Sequence, residues 1–397
     1  MGNPILDCAR AFPGAASLQT YYTDASWIEG AAVYQLHQVA ALSGVSNIAA
    51  FPDLHPGKYG PVGCAILADR LFLHLIGNDI GCGMSLFALD IPARKFRVDK
   101  AALKMRGLEG AWQGNAGQRL EEQSFARDLH PQTLGTIGGG NHFCEVQMVE
   151  TIFDPVSAAA SGLQKGTMLL LVHSGSRSFG TEVFAPVQHL TLGVSAESAV
   201  GKEYLREHDL AVGWAKLNRH IIAERAAEAL RANCTLLADA PHNLVEVTPN
   251  GHLHRKGAAK ADIPLVPLAG SRDALSYVLK PSMTNSGSLA SLAHGAGRKF
   301  DRRSMFGRAG QTKSDREKLS RTSFGGQVIC DDRQLLIEDA PNAYKDAAQV
   351  LKDLSQFGLA EPVVSLKPLV TFKKALAETG NERAEKQERL LQRRKER

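Results

Sequence analysis

Residues 77–84 read GNDIGCGM and place a carboxylate, Asp79, and a thiol, Cys82, three residues apart in a glycine-rich turn. Glycine lets a backbone turn tightly and lets a ligand approach it closely. Four histidines stand in comparable settings: His142 in GGGNHFCE, His173 in HSGSRSFG, His242 in PHNLVE and His294 in SLAHGAGR. One histidine beside glycine is ordinarily a hydrogen-bonded core or loop residue. Four of them, each at a strand or turn end, together with an acid and a thiol, have the composition of a transition-metal site. Imidazole suits several transition ions, a single thiolate can bridge two of them, and a carboxylate tolerates harder ions such as Mn. The donors are spread along the chain and no CxxC is present, so distant elements must assemble the site; a local zinc knuckle does not fit.

The same glycine-rich segments, GTIGGGNHF and AHGAGR, offer backbone N–H groups that can cradle phosphate. Neither is a P-loop, and neither is a dinucleotide fingerprint opening a helix. A basic stretch follows His294: Arg298, Lys299, Arg302, Arg303, Arg308, Lys313, Arg316, Lys318 and Arg321, against Asp301, Asp315 and Glu317. With Arg177 and the Arg255-Lys256 pair it suits phosphate recognition, arginine being the bidentate partner. An exposed basic loop is the competing reading.

The elements that must position these groups are legible as patterns. Val33, Leu36, Val39 and Ala40 recur at helical spacing within 31–43, and 204–232 and 342–357 carry similar periodicity. Short apolar runs at Gly63–Ala68, Leu71–Ile76, Met84–Leu89 and 167–172 predict strands. Residues 242–257 predict a hairpin turning at Pro249-Asn250-Gly251. No repeat, no Pro- or Ser-rich linker and no composition shift before residue 380 divides the chain, so a single intertwined α+β domain over 1–379 is expected, followed by a charged tail, 380–397. That tail reads as a solvated helix; Arg393, Arg394, Lys395 and Arg397 are its candidate contacts to RNA phosphates.

With 397 residues, 44% of them hydrophobic, the chain can build a large core. No apolar run is long enough to cross a bilayer, and the segment MGNPILDCARAFPG has neither the basic start nor the apolar stretch of a secretory signal. Cys8, Cys64, Cys82, Cys144, Cys234 and Cys330 lack disulfide-framework spacing, which suits a reducing cytoplasm. A net charge of +5 permits a polyanionic partner without requiring one.

The assembled motifs resemble the RtcB family of RNA-splicing and RNA-repair ligases. The likeness runs in one order along nearly the whole chain: WIEG (27–30), FPDLHPGKYGPVGCAI (51–66), GNDIGCGM, GTIGGGNHFCEV, HSGSRSFG, HNLVE, HRKGA (254–258), GSRDALSY (270–277), SLAHGAGR, EDAPNAYKD (338–346) and VSLKPLVTFKK (364–374). The resemblance implies an α+β fold with mixed and antiparallel sheets around a buried dinuclear metal site, flanked by helices. It implies two divalent ions, usually Mn, bridged by Cys82, with Asp79 and His142 completing one site and His173 and His242 the other. It implies His294 as the nucleophile that attacks the α-phosphate of GTP to give a histidine–GMP phosphoramidate. The GMP then passes to an RNA 3′-phosphate, opened from a 2′,3′-cyclic phosphate where necessary, and a 5′-hydroxyl end displaces it.

By the same resemblance the guanylate contacts are Asn141, His142, Phe143, Cys144, Glu145, His242, Asn243, Ala269, Gly270, Ser271, Arg272, Ser276, His294, Gly295, Ala296, Gly297 and Lys373, with Glu145 facing the guanine N–H donors and Lys373 the O6 side. Arg177, Arg298 and Arg302 correspond to RNA phosphate positions. The partner implied is RNA, the co-substrate GTP, the setting cytoplasmic with no membrane, and the enzyme a monomer. Three departures stand out. The family usually has Met-Gly where this chain has Arg272-Asp273, Asp301 replaces a usual serine, and the chain runs on past Lys373. The alternatives are a metal-dependent 2′,3′-cyclic phosphodiesterase without ligation, a catalytically silent RNA-binding relative, and a structural zinc protein.

Overall fold

The described residues of the computed structural model, 16–282 and 285–375, hold fifteen strands. In chain order they are β1 (Ser17–Thr20), β2 (Val45–His55), β3 (Val62–Ala68), β4 (Gly83–Leu89), β5 (Phe143–Ile152), β6 (Met168–Ser174), β7 (Cys234–Pro241), β8 (Asn243–Thr248), β9 (Gly251–Lys256), β10 (Ala258–Lys260), β11 (Val266–Leu268), β12 (Ser276–Pro281), β13 (Ser291–Ala293), β14 (Gln327–Cys330) and β15 (Ala360–Lys374). The N-terminal segment with Cys8, the end of the expected domain near 379, and the tail with Arg393, Arg394, Lys395 and Arg397 lie outside the described residues.

An eight-stranded sheet runs β11-β12-β15-β5-β6-β4-β7, with β14 also pairing β15. A five-stranded sheet runs β1-β2-β3-β9-β8, and β10 pairs β13. Most neighbours are antiparallel; β1–β2 and β14–β15 are the parallel pairs, so the sheets are mixed, as expected. β6 shows why a continuous apolar run becomes a strand here. Successive side chains face opposite sides of a sheet, and both sides are covered. Met168, Leu170 and Val172 enter one core with Ile222 and Ala226 of the helix Ala199–Leu230, while Leu169 and Leu171 enter another with Val278 and Leu366.

The 204–232 pattern is the 32-residue helix Ala199–Leu230, capped by Ser198 and ended by Arg231 in a left-handed conformation. Residues 31–43 give the helix Gly30–Ala40, and the hairpin β8–β9 turns where expected. The 342–357 pattern is shorter than expected: Pro341–Ala343 form a 3₁₀ turn, and the α-helix Ala347–Gln356 starts only after the Asp346 cap. One expected strand is not one. Leu71 makes a single bridge to Val194, and Leu73–Ile76 form one turn of helix. Leu71, Phe72, Leu73, Leu75 and Ile76 are all buried, and a short run buried on every side carries no period that separates strand from helix.

Candidate active site

The antiparallel order β5-β6-β4-β7 brings the start of β5, the end of β6, the start of β4 and the end of β7 to one edge of the sheet. His142 precedes β5, His173 lies near the end of β6, Cys82 precedes β4 and His242 follows β7, so donors up to 160 residues apart meet there. Cys82 Sγ lies 3.4 Å from His142 Nε2 and 3.2 Å from His173 Nε2. His142 Nε2 lies 3.0 Å from Asp79 Oδ2, and the Nε2 atoms of His173 and His242 are 3.3 Å apart. Two donors bound to one tetrahedral ion at about 2.1–2.3 Å are themselves roughly 3.4–3.7 Å apart. The distances here lie at or just below that spacing, and the donor atoms of Cys82, His142 and His173 are all within 4.8 Å of one another, so the cluster is a candidate metal site.

The remaining ring nitrogens bear on the tautomers. His173 Nδ1 donates to the Asn141 carbonyl at 3.2 Å, which leaves its Nε2 lone pair facing the cluster; His142 stands between two acceptors, the Ile137 carbonyl at Nδ1 (3.2 Å) and the Asp79 carboxylate at Nε2 (3.0 Å). Burial, reinforced by the neighbouring imidazoles, holds His173 and His242 well below the ordinary histidine range and so favours the neutral rings. Burial opposes ionisation of Asp79, yet His142 and Cys82 hold its carboxyl below the usual carboxylate range. Burial, and then the Asp79 carboxylate, push the Cys82 thiol far up.

The turn carrying Asp79 and Cys82 is clamped from behind by the long helix. Arg219 is fully buried; its Nη1 donates to the carbonyls of Gly81 (2.8 Å) and Ser174 (3.0 Å), and its Nη2 to Asp239 (2.8 Å). Asn218 ties Gly135, Thr136, Ser174 and Gly175 together. Gly81 has φ +70°, and a Cβ there would lie 2.8 Å from the Val212 backbone, so that position requires glycine.

His294 follows β13 and faces the cluster; its ring centroid is 4.4 Å from that of His242. Its Nδ1 is held by the Gly257 carbonyl at 2.6 Å and by Asp53 Oδ2 at 2.7 Å, both acceptors, so Nδ1 carries the proton and Nε2 the free lone pair. Asp53 is completely buried and also accepts the His294 backbone N–H. Lys345 donates to the carbonyls of Pro52 (3.0 Å) and Leu54 (2.5 Å) on either side of it.

From this edge a cavity of about 270 Å³ extends along β5 and β15. Alternation along the strands decides which side chains line it. On β5, Phe143 and Glu145 face the cavity while Cys144 and Val146 enter the core; on β15, Thr371 and Lys373 face it and Phe372 does not. Glu145 and Thr371 are cross-strand partners and hydrogen-bonded, and Lys373 forms an ion pair with Asp339. Burial raises Glu145 above the usual carboxylate range; at Asp339 burial is outweighed by Lys373, Arg302 and Arg298, which hold it below that range.

Of the residues expected at a nucleotide, Asn141, Phe143, Glu145, His242, Asn243, Ala269, Gly270, Ser271, Arg272, His294, Gly295, Ala296, Gly297 and Lys373 line this one cavity. His142 sits behind it in the cluster, and the Cys144 side chain points into the core. Ser276 lies under the wall, its hydroxyl accepting the Gly270 N–H at 3.0 Å. Arg298 and Arg302 line the cavity, but Arg298 is already engaged by Asp339 and the Glu338 carbonyl. Arg177 lines a neighbouring cavity behind Gly138, Gly139 and Gly140, its Nε donating to Thr136. Sequence reasoning misses Asp53, Asn218, Arg219, Asp339 and Thr371. Asp53 and Asp339 fall inside the motifs FPDLH and EDAPNAYKD, and that membership is the signal that could have found them.

Fold and site together place the chain among α+β proteins with a candidate metal centre at one sheet edge, opening into a polar cavity. The family model described as tRNA-splicing ligase RtcB matches residues 35–109 and 101–374, and the chain belongs to that family. It is 39% identical over 377 residues to the RNA-splicing ligase RtcB2 of Escherichia coli, covering 93% of this chain and 98% of that protein. It is 28% identical to the RNA-splicing ligase RtcB of Mycobacterium tuberculosis, over 84% of this chain and 99% of the relative. With the tRNA-splicing ligase RtcB of Aeropyrum pernix the identity is 26%, over 84% and 90%. No helix among the described residues is long and apolar enough to cross a membrane.

Proposed function

We propose that this chain is a GTP- and Mn-dependent RNA ligase that joins 3′-phosphate or 2′,3′-cyclic phosphate ends to 5′-hydroxyl ends through a histidine–GMP intermediate, in a reducing, cytoplasmic setting. The observation that carries the reading is the meeting of His294 with the thiol–imidazole cluster at one end of a cavity whose other end holds Glu145, Lys373 and Arg272. The ligase names of the relatives support the reaction class.

Asp79, Cys82, His142, His173 and His242 would hold two Mn ions, whose contribution would be Lewis acidity toward phosphoryl oxygens. Everything else falls to the chain. Asp53 and the Gly257 carbonyl keep the His294 proton on Nδ1, so Nε2 attacks the α-phosphorus of GTP. The new N–P bond forms as the bond to the β-phosphate oxygen breaks, and pyrophosphate leaves. An RNA 3′-phosphate oxygen then takes the GMP, breaking N–P and restoring the imidazole. A 5′-hydroxyl attacks the activated 3′-phosphorus, its proton is lost, the phosphodiester forms and GMP departs. In this reading Glu145 is the partner of the base, and Arg177, Arg298 and Arg302 are the partners of RNA phosphates.

The test is to supply an RNA with a 2′,3′-cyclic phosphate end and one with a 5′-hydroxyl end, together with GTP and Mn. Joined product that requires GTP is expected. Opening of the cyclic phosphate without joining, independent of GTP, would replace the ligase by a phosphodiesterase.

A further inference from the structure

Arg272 lines the cavity, is 7% exposed, and has no partner among the described residues for Nε or Nη1. Only Nη2 is engaged, donating to the Leu336 carbonyl at 2.9 Å. A guanidinium stays charged even when buried, and buried donors in folded proteins nearly always find acceptors. Its orientation is held from two sides. Leu336 anchors the fork, and Asp273 anchors the loop by accepting the Ser323 N–H and hydroxyl, both at 2.7 Å. A positioned, charged, unmatched donor facing a cavity is a receptor for an acceptor-rich group of the ligand.

Its place in the cavity says which group. The Leu336 carbonyl that holds Arg272 lies three residues before Asp339, which pairs with Lys373 of β15, and β15 also carries Thr371, the partner of Glu145. Arg272 therefore stands with the wall built on β15 and β5, on the other side of the sheet order from β7, where His294 meets His242. Lys373 is already paired with Asp339. We propose that Arg272 recognises the nucleotide base, donating to the O6 and N7 acceptors of guanine while Glu145 takes the N1–H and 2-amino donors; this rests on the nucleotide reading above. Guanine alone among the bases presents those donors beside that acceptor edge. Adenine would set its 6-amino donor against the guanidinium, so Arg272 selects against ATP as well as for GTP.

The test uses the full chain with His294→Ala, so that binding is read without transfer. GTP, ATP and 7-deaza-GTP, which lacks only the N7 acceptor, are titrated calorimetrically with Mn. With Arg272 present, GTP is expected to bind about tenfold more tightly than 7-deaza-GTP. In Arg272→Met on the same background the preference should fall below about twofold, with GTP itself weakened by about tenfold. Arg272→Lys keeps the charge but loses the fork, and should lose most of the preference. An equal GTP to 7-deaza-GTP ratio in the chain that keeps Arg272 and in the Arg272→Met variant overturns the proposal. So does a chain with Arg272 that does not distinguish the two nucleotides, a result that needs no folded variant. If no nucleotide binds in any chain, the nucleotide reading itself has failed, and the proposal with it.

Discussion

The two ends of the cavity are built by different means. At the cluster end the functional atoms come from turns at strand ends, and backbone carbonyls orient them: Ile137 for His142, Asn141 for His173, Gly257 for His294. At the far end they come from the strands themselves, Glu145 on β5 and Thr371 and Lys373 on β15, and side chains pair with one another. The carbonyls leave His173 and His294 each with a lone pair aimed at one place, which suits a cation and a nucleophile. The paired charges leave a polar wall, with Arg272 its unmatched member. A turn can be shaped around a metal because its glycines adopt conformations other residues avoid; a strand can only offer alternate side chains at fixed spacing.

The sharpest way to break this contrast is to remove the sulfur. Cys82→Ala should reduce end joining on the order of 10³-fold, the scale of losing a principal electrostatic group at a reacting centre. Elemental analysis after dialysis should show Mn content falling with it, while GTP binding at the far end declines much less. Equal loss at both ends would mean that they do not act separately.

A smaller effect is expected at Asp53. Asp53→Asn keeps the shape but weakens the acceptor that holds the His294 proton on Nδ1, so guanylylation should slow by about 10²-fold, the scale of losing an outer partner of a functional histidine. GTP affinity should hardly move, so kcat falls with KM nearly constant. A loss confined to KM would show that Asp53 shapes the pocket and does not position the nucleophile.

The smallest effect concerns stability. Burial holds His55 at about 4 and His254 at about 3, against an ordinary value of 6.5. Both rings are neutral in the fold, and the unfolded chain takes up protons below 6.5, so stability is lost as pH falls. The expected slope is about 1.4 kcal/mol per pH unit per histidine between roughly pH 6 and 4. Denaturant titrations of metal-free protein at about pH 7, 6 and 5 read it directly. A flat profile would mean that these rings charge within the fold.

Much of this is legible in the sequence because short motifs encode local geometry. The turn GNDIGCGM, the hairpin at Pro249-Asn250-Gly251 and the long helix up to Leu230 all announce themselves within a few residues. What cannot be read there depends on packing. Leu73–Ile76 form a helical turn in a run whose every face is buried. Asp53 lies 241 residues from His294 in sequence, and nothing local marks its carboxylate as the partner of that ring. Arg219 and Asn218 sit on a helix whose pattern speaks only of core, yet they hold three of the glycine-rich segments in place.

The most direct test of the central claim, that His294 stands between the metal cluster and the nucleotide as nucleophile, is to incubate the metal-loaded chain with α-labelled GTP. Acid-labile, alkali-stable label on the protein, absent from His294→Ala, is the expected result. Label that persists in His294→Ala, or a metal-loaded wild type that takes up none, would contradict it.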